Sequence, residues 1–152
     1  MALIVGTSGA DSLLGTAAAD TIIGYGGNDY LDDGSGAGLD TLIGGAGNDT
    51  YYVHVAGASV FEVADEGTDI IRTTLSSFTQ RNNVENLVFI GTGNFTGIGN
   101  ALDNLIVGAN GQDRLSGEGG NDTLAGRDGD DILSGGVGLN TLIGGLGNDV
   151  YL

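Results

Sequence analysis

The sequence predicts an all-β fold, a solenoid of short parallel strands joined by glycine-rich turns. Three features predict it: a nine-residue repeat, one large apolar residue in each repeat, and 31 glycines with no proline among 152 residues. The clearest copies are Gly44-Gly-Ala-Gly-Asn-Asp49-Thr-Tyr51-Tyr and Gly144-Gly-Leu-Gly-Asn-Asp149-Val-Tyr151-Leu. Numbered 1 to 9, the repeat has glycine at positions 1, 2 and 4, aspartate at 6 and a large apolar residue at 8. Internal periodicity of this kind marks stacked architectures, because one unit cannot bury its apolar residue alone.

Positions 1 to 6 read as a turn, where glycine permits positive φ and close backbone approach. Positions 7 to 9 read as a strand whose alternation sends position 8 to one face. Position 6 is occupied by Asp11, Asp20, Asp29, Asp40 and Asp49, then by Asp103, Asp113, Asp122, Asp131, Asn140 and Asp149. The steps are nine, with two extra residues before Asp40 and one before Asp113. Position 8 is Leu13, Ile22, Leu31, Leu42 and Tyr51, then Leu105, Leu115, Leu124, Leu133, Leu142 and Tyr151, which form the expected core. Two repeats make one coil, so the chain returns above itself after eighteen residues, at the ~4.8 Å spacing of paired strands.

Along the chain this divides residues 1–52, a first repeat block, from 97–152, a second. Residues 53–96 lack the repeat and are richer in Val, Phe and Thr. They are expected to form a β spacer, with strands over 53–59 and 70–75. The nine-residue spacing of Leu87, Thr96 and Leu105 predicts that coiling resumes by residue 84. Spacing leaves open whether the blocks form one roll or two units.

Composition excludes several functions. Four basic against twenty acidic residues give a net charge of −16, which repels nucleic acid and anionic membranes. Without lysine there is no Walker-type phosphate loop. Without cysteine there are no disulfides, no thiolate catalysis and no thiolate zinc site. No apolar run approaches the ~18 residues of a membrane span. Met1–Val5 lacks the basic start of a cleaved signal peptide. His54 is the lone histidine, and no second His or Cys is available for a zinc site or triad, so a surface or edge position is expected. The adjacent acids Asp32-Asp33 and Asp130-Asp131 lie in turns, which disfavours a glycosidase pair. The chain is expected not to be an enzyme.

The acids point to a metal instead. Asp11 and Asp29, Asp113 and Asp131, and Asp131 and Asp149 are eighteen residues apart, on the same edge of successive coils. Carboxylates ~4.8 Å apart repel unless a cation lies between them. Calcium, with oxygen ligands at about 2.3 to 2.6 Å, suits that gap better than magnesium, which demands about 2.1 Å and octahedral geometry. Turn carbonyls would complete the coordination.

These nonapeptides resemble the haemolysin-type calcium-binding repeats of RTX proteins. The resemblance implies an all-β, right-handed parallel β-roll solenoid, two short-strand sheets joined by glycine-rich calcium-binding turns. It implies ions between turns n and n+2. Each would be held by both position-6 side chains, by carbonyls 2 and 4 of the first turn and by carbonyls 1 and 3 of the second. Carried onto this chain, one site takes Thr7, Gly9 and Asp11 with Gly24, Gly26 and Asp29, and the next takes Tyr25, Gly27 and Asp29 with Gly44, Ala46 and Asp49. In the second block, Ala109, Gly111 and Asp113 face Gly126, Asp128 and Asp131, and Arg127, Gly129 and Asp131 face Gly144, Leu146 and Asp149. Glu118, Gly120 and Asp122 face Gly135, Val137 and Asn140, with one carboxylate and hence weaker binding. The Asp20 and Asp40 pair is the least regular, because Gly15-Thr-Ala-Ala-Ala-Asp20 has lost three glycines and the insertion displaces its partner turn.

The resemblance further implies several Ca2+ ions, about five, whose binding energy becomes folding energy. It implies a secreted bacterial protein, exported by type I secretion and folding on calcium outside the cell. The sequence stops within a repeat at Tyr151-Leu152, which predicts an apolar edge open to further repeats or to end-to-end self-association in an adhesive role. The other expected partner is an enzymatic domain of a longer chain, such as a protease, a lipase or an alginate-modifying enzyme.

Overall fold

A computed structural model describes residues 1–152. The chain is all-β, with seventeen strands and no helix, and its strands pair in parallel as a β-solenoid. It separates into two compact units, Met1–Arg72 and Thr73–Leu152.

The first unit contains β1 (Leu3–Val5), β2 (Ser12–Leu14), β3 (Thr21–Gly26), β4 (Tyr30–Asp32), β5 (Thr41–Ala46), β6 (Thr50–Val53), β7 (Ser59–Phe61) and, at its end, β8 (Ile70–Thr73). Odd strands stack in the order β1-β3-β5-β7 and even strands in the order β2-β4-β6-β8. Leu3 pairs with Thr21, Thr21 with Thr41, and Thr41 with Ser59. Ile22, Leu31, Leu42 and Tyr51 at position 8 are fully buried between the two sheets. Each buried side chain of this size contributes about 1.5 to 3 kcal/mol.

The second unit contains β9 (Ser77–Thr79), β10 (Asn86–Phe89), β11 (Thr96–Ile98), β12 (Leu105–Val107), β13 (Arg114–Ser116), β14 (Thr123–Asp128), β15 (Ile132–Ser134), β16 (Thr141–Leu146) and β17 (Val150–Tyr151). Its sheets run β10-β12-β14-β16 and β9-β11-β13-β15-β17. Leu115, Leu124 and Leu133 are buried at position 8, whereas Tyr151 is 53% exposed in the last strand.

Three expectations change. Coiling is present on both parts of the spacer: in the first unit β7 continues the β5 column, and in the second β9 pairs with β11 well before residue 84. The strand expected over 53–59 is a turn after Val53, with Gly57 at φ 99°, and the strand starts at Ser59. Likewise β8 stops at Thr73, short of Leu75.

The register at residue 103 shifts by one. Asn86 pairs with Leu105 and Leu87 with Ile106, so Ile106 is fully buried while Leu105 is 38% exposed. Position 6 is therefore Asn104, and Asp103 takes position 5. Phe95, nine residues earlier, occupies the equivalent position-6 place and stacks on Phe89 at 4.6 Å. The extra residue inferred before Asp113 does not exist.

The insertion before Asp40 does not displace it either. Gly34, Gly36 and Gly38 lie so close to the Gly15–Ala19 backbone that a Cβ on any of them would collide with it. The extra length packs outside the column, and Asp40 stays over Asp20.

Candidate metal centres in the turns

Position-6 side chains form vertical columns. In each, Oδ1 accepts the backbone N–H of the position-6 residue one coil earlier. Asp29 accepts from Asp11 at 2.8 Å, Asp49 from Asp29 at 2.7 Å and Asp40 from Asp20 at 2.6 Å. In the second unit Asp131 accepts from Asp113 at 2.8 Å and Asp149 from Asp131 at 3.1 Å. Asn140 accepts from Asp122 at 2.8 Å, so the amide keeps the vertical bond while losing the charge.

The second carboxylate oxygen divides the turns into two kinds. In capped turns the position-2 N–H points inward to Oδ2. Thr7 donates to Asp11 at 2.6 Å, Thr16 to Asp20 at 2.7 Å and Ala109 to Asp113 at 2.8 Å. The Thr7 and Thr16 hydroxyls add bonds to the same oxygens, and the Thr16 hydroxyl holds the Asp20 carboxyl below its ordinary range. In open turns position 2 is left-handed: Tyr25 at φ 78°, Gly45 at 94°, Glu118 at 75° and Arg127 at 85°. That rotation turns the N–H away. Oδ2 of Asp29, Asp49, Asp122 and Asp131 is then buried with no hydrogen-bond partner. A buried acceptor left this way carries its full desolvation cost, more for a charged group.

Position 1 makes room beside these oxygens. A Cβ at Gly24 would run into Asp29 Oδ2 and the Gly44 carbonyl oxygen. The same holds at Gly117 for Asp122 Oδ2 and the Gly135 carbonyl, and at Gly126 for Asp131 Oδ2 and the Gly144 carbonyl. The turns of Asp29, Asp122 and Asp131 thus each set an orphaned carboxylate oxygen and a carbonyl oxygen of the next coil around one small space, whereas at Gly44 the Asp49 oxygen is joined by Glu62 Oε1 and the Tyr51 hydroxyl. Burial pushes the carboxyls of Asp29, Asp113, Asp122 and Asp131 up, and that of Asp49 to about 6. The donors are all oxygens, the set a hard cation such as calcium takes.

Several of the carbonyls expected as ligands lie against the next coil. Carbonyls at position 2 (Tyr25, Glu118, Arg127) and position 4 (Gly9, Gly27, Gly111, Gly120, Gly129) face the glycine of the next coil. Gly26 pairs directly with Ala46. At position 3, Ala46, Asp128, Val137 and Leu146 already accept the N–H groups of Gly27, Gly111, Gly120 and Gly129, leaving one lone pair each. Thr7 and Ala109 donate their N–H groups to the aspartates of their own turns.

Two acids in the spacer were not foreseen as ligands. Asp69 continues the Asp11, Asp29, Asp49 column, its Oδ1 accepting from Asp49 at 2.8 Å. The signal was available, because Glu66-Gly-Thr-Asp69 matches positions 3 to 6 and repeats the twenty-residue step from Asp29 to Asp49. Glu62 lies above Gly44, where the repeat has a glycine, and burial followed by the charges of Asp69 and Asp49 pushes its carboxyl up to about 9.

The RTX calcium-binding nonapeptide repeat matches this chain in four copies, over residues 5–39, 35–53, 98–133 and 117–151. The chain belongs to that family. As an RTX calcium-binding module, its matched repeats contain every open turn. Over 85 residues it is 40% identical to the endo-1,3-1,4-beta-glycanase ExsH of Rhizobium meliloti (strain 1021), an alignment covering 56% of this chain and 18% of that protein. The chain therefore spans less than a fifth of that relative's length. No helix of the structure is long and apolar enough to cross a membrane.

Proposed function

We propose that this RTX module belongs to a secreted protein, stays largely unfolded at cytosolic calcium, and folds outside the cell as its turns take up calcium. One observation carries the reading. Four buried oxygens of position-6 aspartates lack hydrogen-bond partners, and each follows a left-handed residue at position 2. Asp29, Asp122 and Asp131 would hold calcium with the carbonyls of the following coil, and Asp49 with the acids that stand there, whereas Asp11, Asp20 and Asp113 are already capped. Calcium supplies positive charge where the chain concentrates negative charge. The chain's residues supply the column spacing, the glycine gap and the exclusion of water. Extracellular calcium modules work at ~10⁻⁴ to 10⁻³ M.

Circular dichroism during a calcium titration tests this, with magnesium as control. The strand spectrum is expected to appear with calcium, disappear with chelator and respond little to magnesium. A strand spectrum indifferent to chelator overturns the reading. Asp131→Ala removes an orphaned oxygen and a vertical bond, so it is expected to raise the calcium midpoint at least several-fold more than Asp11→Ala.

The glycanase relative favours a companion reading, in which the module serves an enzymatic domain of a longer chain. In such a chain, chelation is expected to lower the yield of folded enzyme without changing the turnover of the isolated catalytic domain.

A further inference from the structure

The position-1 column of the first unit runs Gly6, Gly24, Gly44 and then changes character, because the pairing of Ile43 with Phe61 places Glu62 above Gly44. A carboxylate stands where the other turns offer a carbonyl. Asp49, Glu62 and Asp69 bring one ligand oxygen each to within 4.8 Å of one another. Asp49 is only 1% exposed, and its Oδ2 has no hydrogen-bond partner. It is aimed into the cluster: the place of an absent Gly44 Cβ is bordered by Asp49 Oδ2, Glu62 Oε1 and the Tyr51 hydroxyl. Tyr51 donates to Glu62 Oε1 and so orients that carboxylate.

We propose that Asp49, Glu62 and Asp69 form a three-carboxylate calcium site, built differently from the nonapeptide sites and the tightest in the chain. The inference rests on the reading of the turns as calcium sites. Ligand charge count tunes calcium affinity, and three carboxylates exceed the two of any nonapeptide pair. The donors exclude soft metals, since no cysteine exists and His54 is not in the group. Magnesium's need for near-ideal octahedral geometry disfavours it. Filled first, this site would anchor the last calcium turn of the first unit.

The test is a competitive calcium titration of the full chain against a chelating dye. Glu62→Gln keeps the shape and an acceptor for Tyr51 but removes one charge. It is expected to weaken the tightest step by about tenfold, because ligand charge count tunes calcium affinity, while Asp131→Asn leaves that step within twofold. A Glu62→Gln chain whose tightest step matches wild type overturns the proposal. So does one that fails to fold in saturating calcium, because the proposal assigns Glu62 to affinity and not to the fold. Terbium gives a second measurement. The first equivalent is expected to emit with tyrosine sensitisation, and Tyr51→Phe to remove more than half of that emission; undiminished emission overturns the site. If wild type binds no calcium at all, it is the proposed function that fails. If wild type binds normally and only these variants fail to respond, this site alone is wrong.

Discussion

At position 2 of each turn, the sign of φ sets the fate of the aspartate four residues on. Tyr25, Glu118 and Arg127 adopt left-handed backbone that L side chains avoid, and each precedes an orphaned carboxylate oxygen. Two substitutions one residue apart separate the demands of positions 1 and 2. Arg127→Gly relieves a left-handed side-chain residue and is expected to stabilise the calcium-loaded chain by about 1 kcal/mol in urea unfolding. Gly126→Ala puts a methyl group onto Asp131 Oδ2 and the Gly144 carbonyl, and is expected to cost about 1 to 3 kcal/mol and to weaken calcium binding. Equal effects of the two would contradict the division of labour. Spacing revealed glycine at positions 1, 2 and 4. It was silent on which glycine serves a positive φ and which only clears space, because residue identity does not report the torsion sign.

Neighbouring turns are stitched by a second ladder at position 5. The Asn28 side chain accepts the Asn48 N–H at 2.9 Å, and Asn48 accepts that of Thr68 at 2.9 Å. In the second unit Asp103 accepts from Asn121 at 2.6 Å and Asn121 from Leu139 at 2.9 Å. Position-5 side chains reach toward the next coil, while position-6 side chains reach toward the previous one. Asn121→Ala is expected to cost about 1 kcal/mol while leaving calcium affinity within twofold of wild type, which calorimetric titration checks. The ladder also explains why the adjacent Asp103 and Asn104 were misassigned. Either could fill position 6 by composition, and only the burial of Ile106 decides between them. Asp69 and Glu62 escaped because the turn holding them keeps one glycine, Gly67, and has lost the rest of the motif.

For the whole chain, the repeat period makes the stacked all-β architecture legible in the sequence, since one apolar residue per nine has no other way to be buried. The charge of −16 made a counter-ion legible too. The pH response follows from burial. Without calcium, the folded-state carboxyl of Asp49 lies at about 6 against an ordinary 3.8, and Asp29, Asp113, Asp122 and Asp131 shift the same way. Raised folded-state values mean that the folded form binds more protons, so their contribution is present in acid and lost as pH rises toward and through 6. In chelator, strand content is expected to fall between pH 4 and pH 7, read by circular dichroism at each pH. With saturating calcium the trend reverses, because protons then compete with the cation. A chelated chain that gains structure with rising pH would contradict this.

Sameness is a hazard in such a chain. Copies that can each satisfy any other invite misaligned pairing, in which one full coil skips its proper neighbour and every aspartate still finds an aspartate. The added length before Asp40 works against that error. Gly34, Gly36 and Gly38 nest only where Gly15, Thr16 and the three alanines after it leave a shallow seat. An out-of-step chain would press this bulge against a turn with no such seat, so a departure from regularity acts as the index mark by which the coils are counted.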